Sequence, residues 1–392
     1  MNSSNIQGNE KDFVKLQSET IDLLRFPLAI MVLFIHMNPN VINLIDADFS
    51  LISEHGIYNV TGILLSHVLT HIAVPTFFFI SGFLFFVNFQ GWSWTGYKKK
   101  LNSRIKTLFV PYLLWNSVPF LLVVLTAIAG VVIKGNPIEE VQTYVTEKSW
   151  HIFYDCNEWG ITRVNWLGAH LKSTGPYDLP LWFLRDLIVV TTLTPIIYYA
   201  IKKCGIFVMG VLFLAYISKI WTLVPGFSIT AFFYFSLGAY FALHKVNIIL
   251  FVTKYRFFIP VCLILLIITT IFDGTNTFVG QKVHPFFVCT GVFTAFFVAS
   301  RCITKYKVRP NRLLVSSCFF IYACHNAPIP VIGPPLSFSR VLLHKIIPGN
   351  TGFEEGFCYL ASPFVTACIC ILLLMLARRL FPKLTLYFSG NK

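Results

Sequence analysis

The sequence predicts an all-α polytopic membrane protein with about ten transmembrane helices and both termini cytoplasmic. Three observations carry this. Of 392 residues, 56% are hydrophobic and only 12% charged, against roughly 25% charged in an ordinary soluble domain. The apolar residues come in long runs, and about 20 such residues cross a hydrocarbon core roughly 30 Å thick. Lys and Arg gather on one side of those runs, as they do in cytoplasmic loops. A mean hydropathy of +0.69 excludes a disordered chain, which needs low hydrophobicity and high net charge. The net charge of +14 is therefore assigned to the membrane surface and not to a nucleic-acid partner.

Residues 1–20 are polar and mixed in charge and lack the apolar core of a cleavable signal peptide; they are expected to form a cytoplasmic tail. The membrane domain is expected over 21–385, followed by a second cytoplasmic tail, 386–392. Its spans are predicted near 23–44, 60–88, 107–133, 179–201, 205–224, 228–245, 256–272, 284–301, 312–332 and 357–381. With a cytoplasmic N-terminus, the basic clusters at 98–106, 202–203, 305–312 and 378–379 all fall inside. Glu139, Glu140, Glu147, Asp155, Glu158 and Asp178 fall outside.

The loop 134–178 is the longest and carries Trp150, Trp159, Trp166, Tyr144, Tyr154 and Tyr177. Loops longer than about 15 residues are usually functional. Aromatic rings suit stacking on sugar faces, and they suit an interfacial belt equally well. The ten cysteines form no CxxC pair, and most lie inside apolar runs where Cys packs as a small hydrophobe. No metal site and no disulfide framework is expected; Cys156 and Cys358 either meet outside the membrane or are two unrelated thiols.

Chemistry concentrates in the first span. Arg25 and His36 are separated by ten residues, so eleven steps of about 100° bring them back to one helix face, roughly 16 Å apart along the axis. Ionisable groups inside spans are costly and mark functional sites by default. A cation at one end of this stripe and a titratable imidazole at the other could hold the two ends of one long anionic substrate. The competing readings are a polar packing contact for His36 and a headgroup-seeking Arg25. His67 and His71, four residues apart, would suit a metal, but no third ligand is evident.

Four further stretches follow in order: VPTFFFISGFLFF (74–86), KKKLNSRIKTLFVPYLLW (98–115), LPLWFLRDLIVV (179–190) and SCFFIYACHNAPI (317–329). Together with the Arg25-x10-His36 element they resemble the acyltransferase-3 family of integral membrane O-acyltransferases, in its stand-alone form without a fused soluble domain. One departure lies at the basic helix start. The family often shows Arg-x-x-Arg there, whereas here Arg104 is followed by Lys106, with Lys100 four residues before it.

The resemblance implies transfer of an acyl group, acetyl above all, from cytoplasmic acyl-CoA to a hydroxyl of a cell-surface or exported glycan, in the cytoplasmic membrane. Acyl-CoA is then a co-substrate, with no bound cofactor, and the partners are membrane lipid and the glycan acceptor. Arg25, Lys100, Arg104 and Lys106 are expected to meet CoA phosphates, which clustered Arg and Lys suit. His36 is expected to act as general base toward a sugar hydroxyl, or as a transient acyl carrier. Ser81, Gly82, Trp182, Arg185, Tyr322 and His325 are expected to line the site, although a packing notch at Gly82 and a local ion pair at Arg185 are the plainer readings. The alternative function is a secondary transporter or flippase for a lipid-linked sugar. Such proteins tend to carry internal repeats, and this sequence shows none.

Overall fold

The computed structural model describes residues 3–37, 58–272, 277–329, 333–348 and 352–390. Helix α1 (Ser3–Met37) is continuous, so the polar stretch ahead of the first expected span belongs to the same helix. Residues 38–44 of that span lie outside the described residues. A π turn (Ile63–Val68) and a 3-10 turn (Leu69–Ile72) lead into α2 (Ala73–Phe86). Helix α3 (Trp94–Arg104) passes through a second π turn (Ile105–Phe109) into α4 (Val110–Lys134). The expected outer loop contains α5 (Ile138–Lys148) and an antiparallel hairpin, β1 (Asn157–Val164) with β2 (His170–Gly175). There follow α6 (Trp182–Thr192), α7 (Thr194–Ser218), α8 (Ile229–Leu243), α9 (Ile248–Lys254) and α10 (Phe258–Ile271). The last five are α11 (Phe278–Tyr306), α12 (Arg312–Cys324), α13 (Pro335–Ile346), α14 (Gly352–Leu380) and α15 (Pro382–Phe388).

Among the described residues, six helices are long and apolar enough to cross a membrane, or seven if α8 and α9, bent by 100°, form one broken span. The difference from ten has physical causes. Predicted spans in 256–272 and 312–332 become α10 and α12, with 14 and 13 residues, or roughly 20 Å of helix each. The span expected at 179–201 divides at Leu193, where α6 ends and Pro195 opens α7. The break expected near residue 204 survives as a kink at Gly205, whose φ is 44°.

Helix starts follow from capping side chains that satisfy the otherwise orphaned first-turn amides. Ser93 accepts from the Gly96 amide at 3.0 Å, Thr277 from Gly280 at 3.1 Å, and Asn311 from Leu313 at 2.9 Å. Helix α4 stops at Gly135, which takes a φ of 70°. The buried core joins α1, α2, α8 and α11 through Leu28, Leu33, Phe78, Phe79, Phe235 and Phe296. The second half of α4 faces outward, with Leu125, Val132 and Ile133 exposed, as suits a lipid-facing surface.

Candidate active site

The end of α1 that carries His36 is tied down from two sides. Its last carbonyls have no partner within the helix. Ser66 donates to the Phe34 carbonyl at 2.6 Å and shares a hydrogen bond with the Tyr359 hydroxyl at 2.8 Å. Arg340 donates to the Met37 carbonyl at 3.4 Å.

The shortness of α12 places a second histidine beside it. His325 forms the C-terminal cap, so it ends its helix in the bundle interior, where it is 0% exposed. Its Nδ1 lies 2.8 Å from the Tyr322 carbonyl and 3.2 Å from that of Ile321. A carbonyl only accepts, so Nδ1 carries the proton and Nε2 the lone pair. The His325 carbonyl accepts from the Leu336 amide at 2.9 Å, fixing the residue from the other side. The rings of His36 and His325 stand 5.1 Å apart, centroid to centroid, tilted by 50°. Nearby, the Tyr322 hydroxyl donates to the Pro180 carbonyl, and its ring meets Phe183 edge-on at 5.6 Å.

A cleft of about 320 Å³ lies between α2, α3 with the π turn that follows it, the middle of α12 and the residues just after α15. Lys100, Ser103, Arg104, Thr107, Leu84, Phe85 and Phe319 are among the side chains lining it. Lys100 donates to the Phe85 carbonyl, with its ammonium 5.1 Å from the Phe85 ring and 4.9 Å from that of Phe89, a cation–π arrangement. Arg104 is close enough to Arg25 for their charges to repel, while Arg25 also pairs with Asp22 at 3.0 Å. Two guanidiniums brought together favour an anion between them. Lys106, the fourth expected cation, sits on the π turn and does not line the cleft.

The cleft and the histidine pair share α12, while α1 carries His36 and sets Arg25 near Arg104 without lining the cleft. Arg25 and His36 lie on α1, roughly 16 Å apart along the axis, and Phe319 precedes His325 by six residues on α12, roughly 9 Å. The expected outer loop reaches down toward the same region along α4. Tyr112 donates to the Phe153 carbonyl at 2.5 Å, Asn116 accepts from the Asp178 amide at 2.9 Å, and Phe120 packs on Tyr144 and Tyr177 at 5.9 and 5.4 Å. Burial and the adjoining Tyr144 hydroxyl push the Tyr177 phenol above its ordinary value. The Asp178 carboxylate is fully buried, and neither oxygen has a hydrogen-bond partner among the described residues.

Other expected site residues are placed differently. Gly82 lines no cavity: a Cβ there would fall 2.0 Å from the Phe235 carbonyl oxygen, so the position is a close helix crossing. Ser81 is its half-buried neighbour. Arg185 pairs with its neighbour Asp186 at 3.0 Å and ties α6 to the loop through the carbonyls of Tyr154 and Thr174 at 2.5 and 3.2 Å. Trp182 opens the same helix, half-buried. His67 and His71 do not share one face of a regular helix, because the segment is π and then 3-10. His71 instead meets His284 edge-on at 4.9 Å, and no metal-binding group of three ligands occurs among the described residues. All ten cysteines are free thiols.

A family model described as an acyltransferase domain matches residues 18–377. The chain belongs to the acyltransferase-3 family. This membrane acyltransferase is 24% identical over 390 residues to the succinoglycan biosynthesis protein ExoH of Rhizobium meliloti (strain 1021), covering 96% of this chain and 92% of that one. No solved structure matches it.

Sequence reasoning did not single out Ser66, Arg340, Tyr359, Asn116 or Asp178. Asn116 had a signal, a polar residue inside an apolar run. Ser66 and Tyr359 lie 293 residues apart, and nothing in their local patterns joins them.

Proposed function

We propose that this acyltransferase moves an acyl group, acetyl in the simplest case, from acyl-CoA to a hydroxyl of an exported polysaccharide. One observation carries the reading: a basic cleft beside the middle of α12, with Arg25 of α1 near its Arg104, and a histidine pair at the ends of these two helices. CoA phosphates would lie against Lys100, Arg104 and Arg25, with the pantetheine arm directed along these helices toward His36. As the acceptor oxygen bonds to the thioester carbonyl carbon, its proton passes to His36. The carbon–sulfur bond then breaks, and the proton leaves with the CoA thiolate. The name of the relative, a succinoglycan biosynthesis protein, favours a polysaccharide acceptor, and the aromatic loop reaching the site along α4 suits one.

The test uses membranes containing the protein, radiolabelled acetyl-CoA and the exopolysaccharide of the source strain. Label should move to the polysaccharide and should fail to move with His36→Ala. Intact acetyl-CoA after prolonged incubation, with the protein folded, would rule out this donor.

A further inference from the structure

Two imidazoles in contact inside a membrane protein need a reason, because each is a polar ring removed from water. His36 and His325 stand 5.1 Å apart between ring centroids, a separation at which a nitrogen of each ring can come within hydrogen-bond reach. The two rings are not equivalent. His325 is held through its backbone amide, its backbone carbonyl and its Nδ1, and its ring cannot turn without losing the Tyr322 and Ile321 carbonyls. Its Nε2 is thereby fixed as a bare acceptor, buried and without a hydrogen-bond partner among the described residues. A buried acceptor left unmade costs free energy, so the site is complete only when a donor reaches it. His36 keeps partial exposure, as a group meeting substrate must.

We propose that His325 is the positioning residue of His36: the two rings are in contact but not hydrogen-bonded in this structure, and a turn of the His36 ring about its side-chain torsions lets His325 Nε2 accept its N–H, so that the opposite nitrogen of His36 faces the acceptor hydroxyl unprotonated. This rests on the reading of His36 as general base. In hydrolase triads a carboxylate fixes the tautomer and orientation of the base in this way. Here a neutral imidazole does so, itself fixed by two carbonyl oxygens. When the acceptor proton arrives on His36, both of its nitrogens carry hydrogen, and the one toward His325 stays bonded to Nε2. The like charges of two imidazoliums at this distance repel, so the pair holds one extra proton at a time. That proton is free to leave with the CoA thiolate.

The lone pair of Nε2 can be tested apart from the bulk of the ring. His325→Phe keeps an aromatic ring of similar size without an acceptor. His325→Gln places a carbonyl oxygen near the Nε2 position, and His325→Asn carries the same amide one methylene short of it. Each is compared with wild type and His36→Ala in detergent-solubilised, monodisperse form, reading kcat and the acetyl-CoA KM. Loss of the partner that orients a metal-binding histidine costs about 10- to 100-fold, and a factor of that order is expected for an orienting partner here. The expectation is that His325→Phe and His325→Asn lower kcat by about that factor with KM within about threefold, and that His325→Gln recovers at least tenfold over the Asn variant. Should His325→Phe fail to fold, the Gln against Asn comparison still decides. Wild-type kcat in the Phe or Asn variant, equal impairment of Gln and Asn, or a change confined to KM would overturn the positioning role while leaving His36 as base. Full activity in His36→Ala would instead remove the base itself, and the positioning role with it.

Discussion

Gly82 and Gly238 each press against the other's helix: a Cβ at Gly82 would fall 2.0 Å from the Phe235 carbonyl oxygen, and one at Gly238 would fall 2.0 Å from that of Phe79. The α2–α8 crossing therefore depends on two missing methyl groups, as close contacts between membrane helices often do. Backbone oxygens cannot swing away as side-chain ends can. Gly82→Ala and Gly238→Ala should each cost at least the roughly 1–3 kcal/mol typical of overpacking, seen as a lower Tm and less monodisperse protein in detergent. Gly210→Ala, with no atom within 4 Å of the new methyl, should match wild type. A stable Gly82→Ala would mean the crossing is looser than this geometry.

His36→Ala should leave insertion and folding intact and lower acyl transfer by roughly 10²- to 10⁴-fold, the usual contribution of a general base. The helix end does not depend on the imidazole, since Ser66 and Arg340 hold the carbonyls of Phe34 and Met37. Transfer to polysaccharide measured at saturating acyl-CoA is the readout, and near-wild-type turnover would exclude His36 as the base.

Arg104→Ala should raise the acyl-CoA KM with little change in kcat. A phosphate contact made equally in the ground and transition states alters binding alone when lost. Arg104 lines the cleft beside Lys100, whereas Lys106 does not, so Lys106→Ala should leave KM near wild type. Steady-state kinetics on the two variants separates them; equal effects would mean that the cations act as a diffuse field and not as a built phosphate site.

The membrane class, the helix-rich architecture and the Arg25–His36 stripe were legible in the sequence because each rests on local periodicity. A run of apolar residues announces a helix, and ten intervening residues fix a shared face whatever the tertiary context. Helix continuity was less legible. The turn over 63–72 widens and tightens within an apolar stretch that reads as one span, and α12 stops at Cys324 although Ala327, Pro328 and Ile329 continue the hydrophobic run. Apolar composition is indifferent to where backbone hydrogen bonds end. The pairing of His36 with His325 was out of reach for another reason. Its partners come from helices nearly three hundred residues apart, and only the stop of α12 inside the bundle sets the second ring against the first.

The positive-inside pattern makes a prediction about sidedness that rests on charge alone. The cleft residues Ser103 and Arg104 should face the cytoplasm, and α5, with Glu147, should face outward. Both Ser103 and Glu147 are exposed. Ser149 is exposed too but holds a φ of 28°, which makes Glu147 the better reporter position. On a background without native cysteines, an impermeant thiol reagent applied to intact cells should label the Glu147→Cys variant and leave Ser103→Cys untouched. Opened membranes should label both. Acyl-CoA added to opened membranes should then protect Ser103→Cys, because Ser103 lines the basic cleft, and should leave Glu147→Cys unprotected. Labelling of Ser103→Cys from outside in sealed cells would reverse the orientation, or reveal a water-filled path through the bundle of the kind a transporter needs. Labelling of Ser103→Cys unchanged by saturating acyl-CoA would place the donor somewhere other than this cleft.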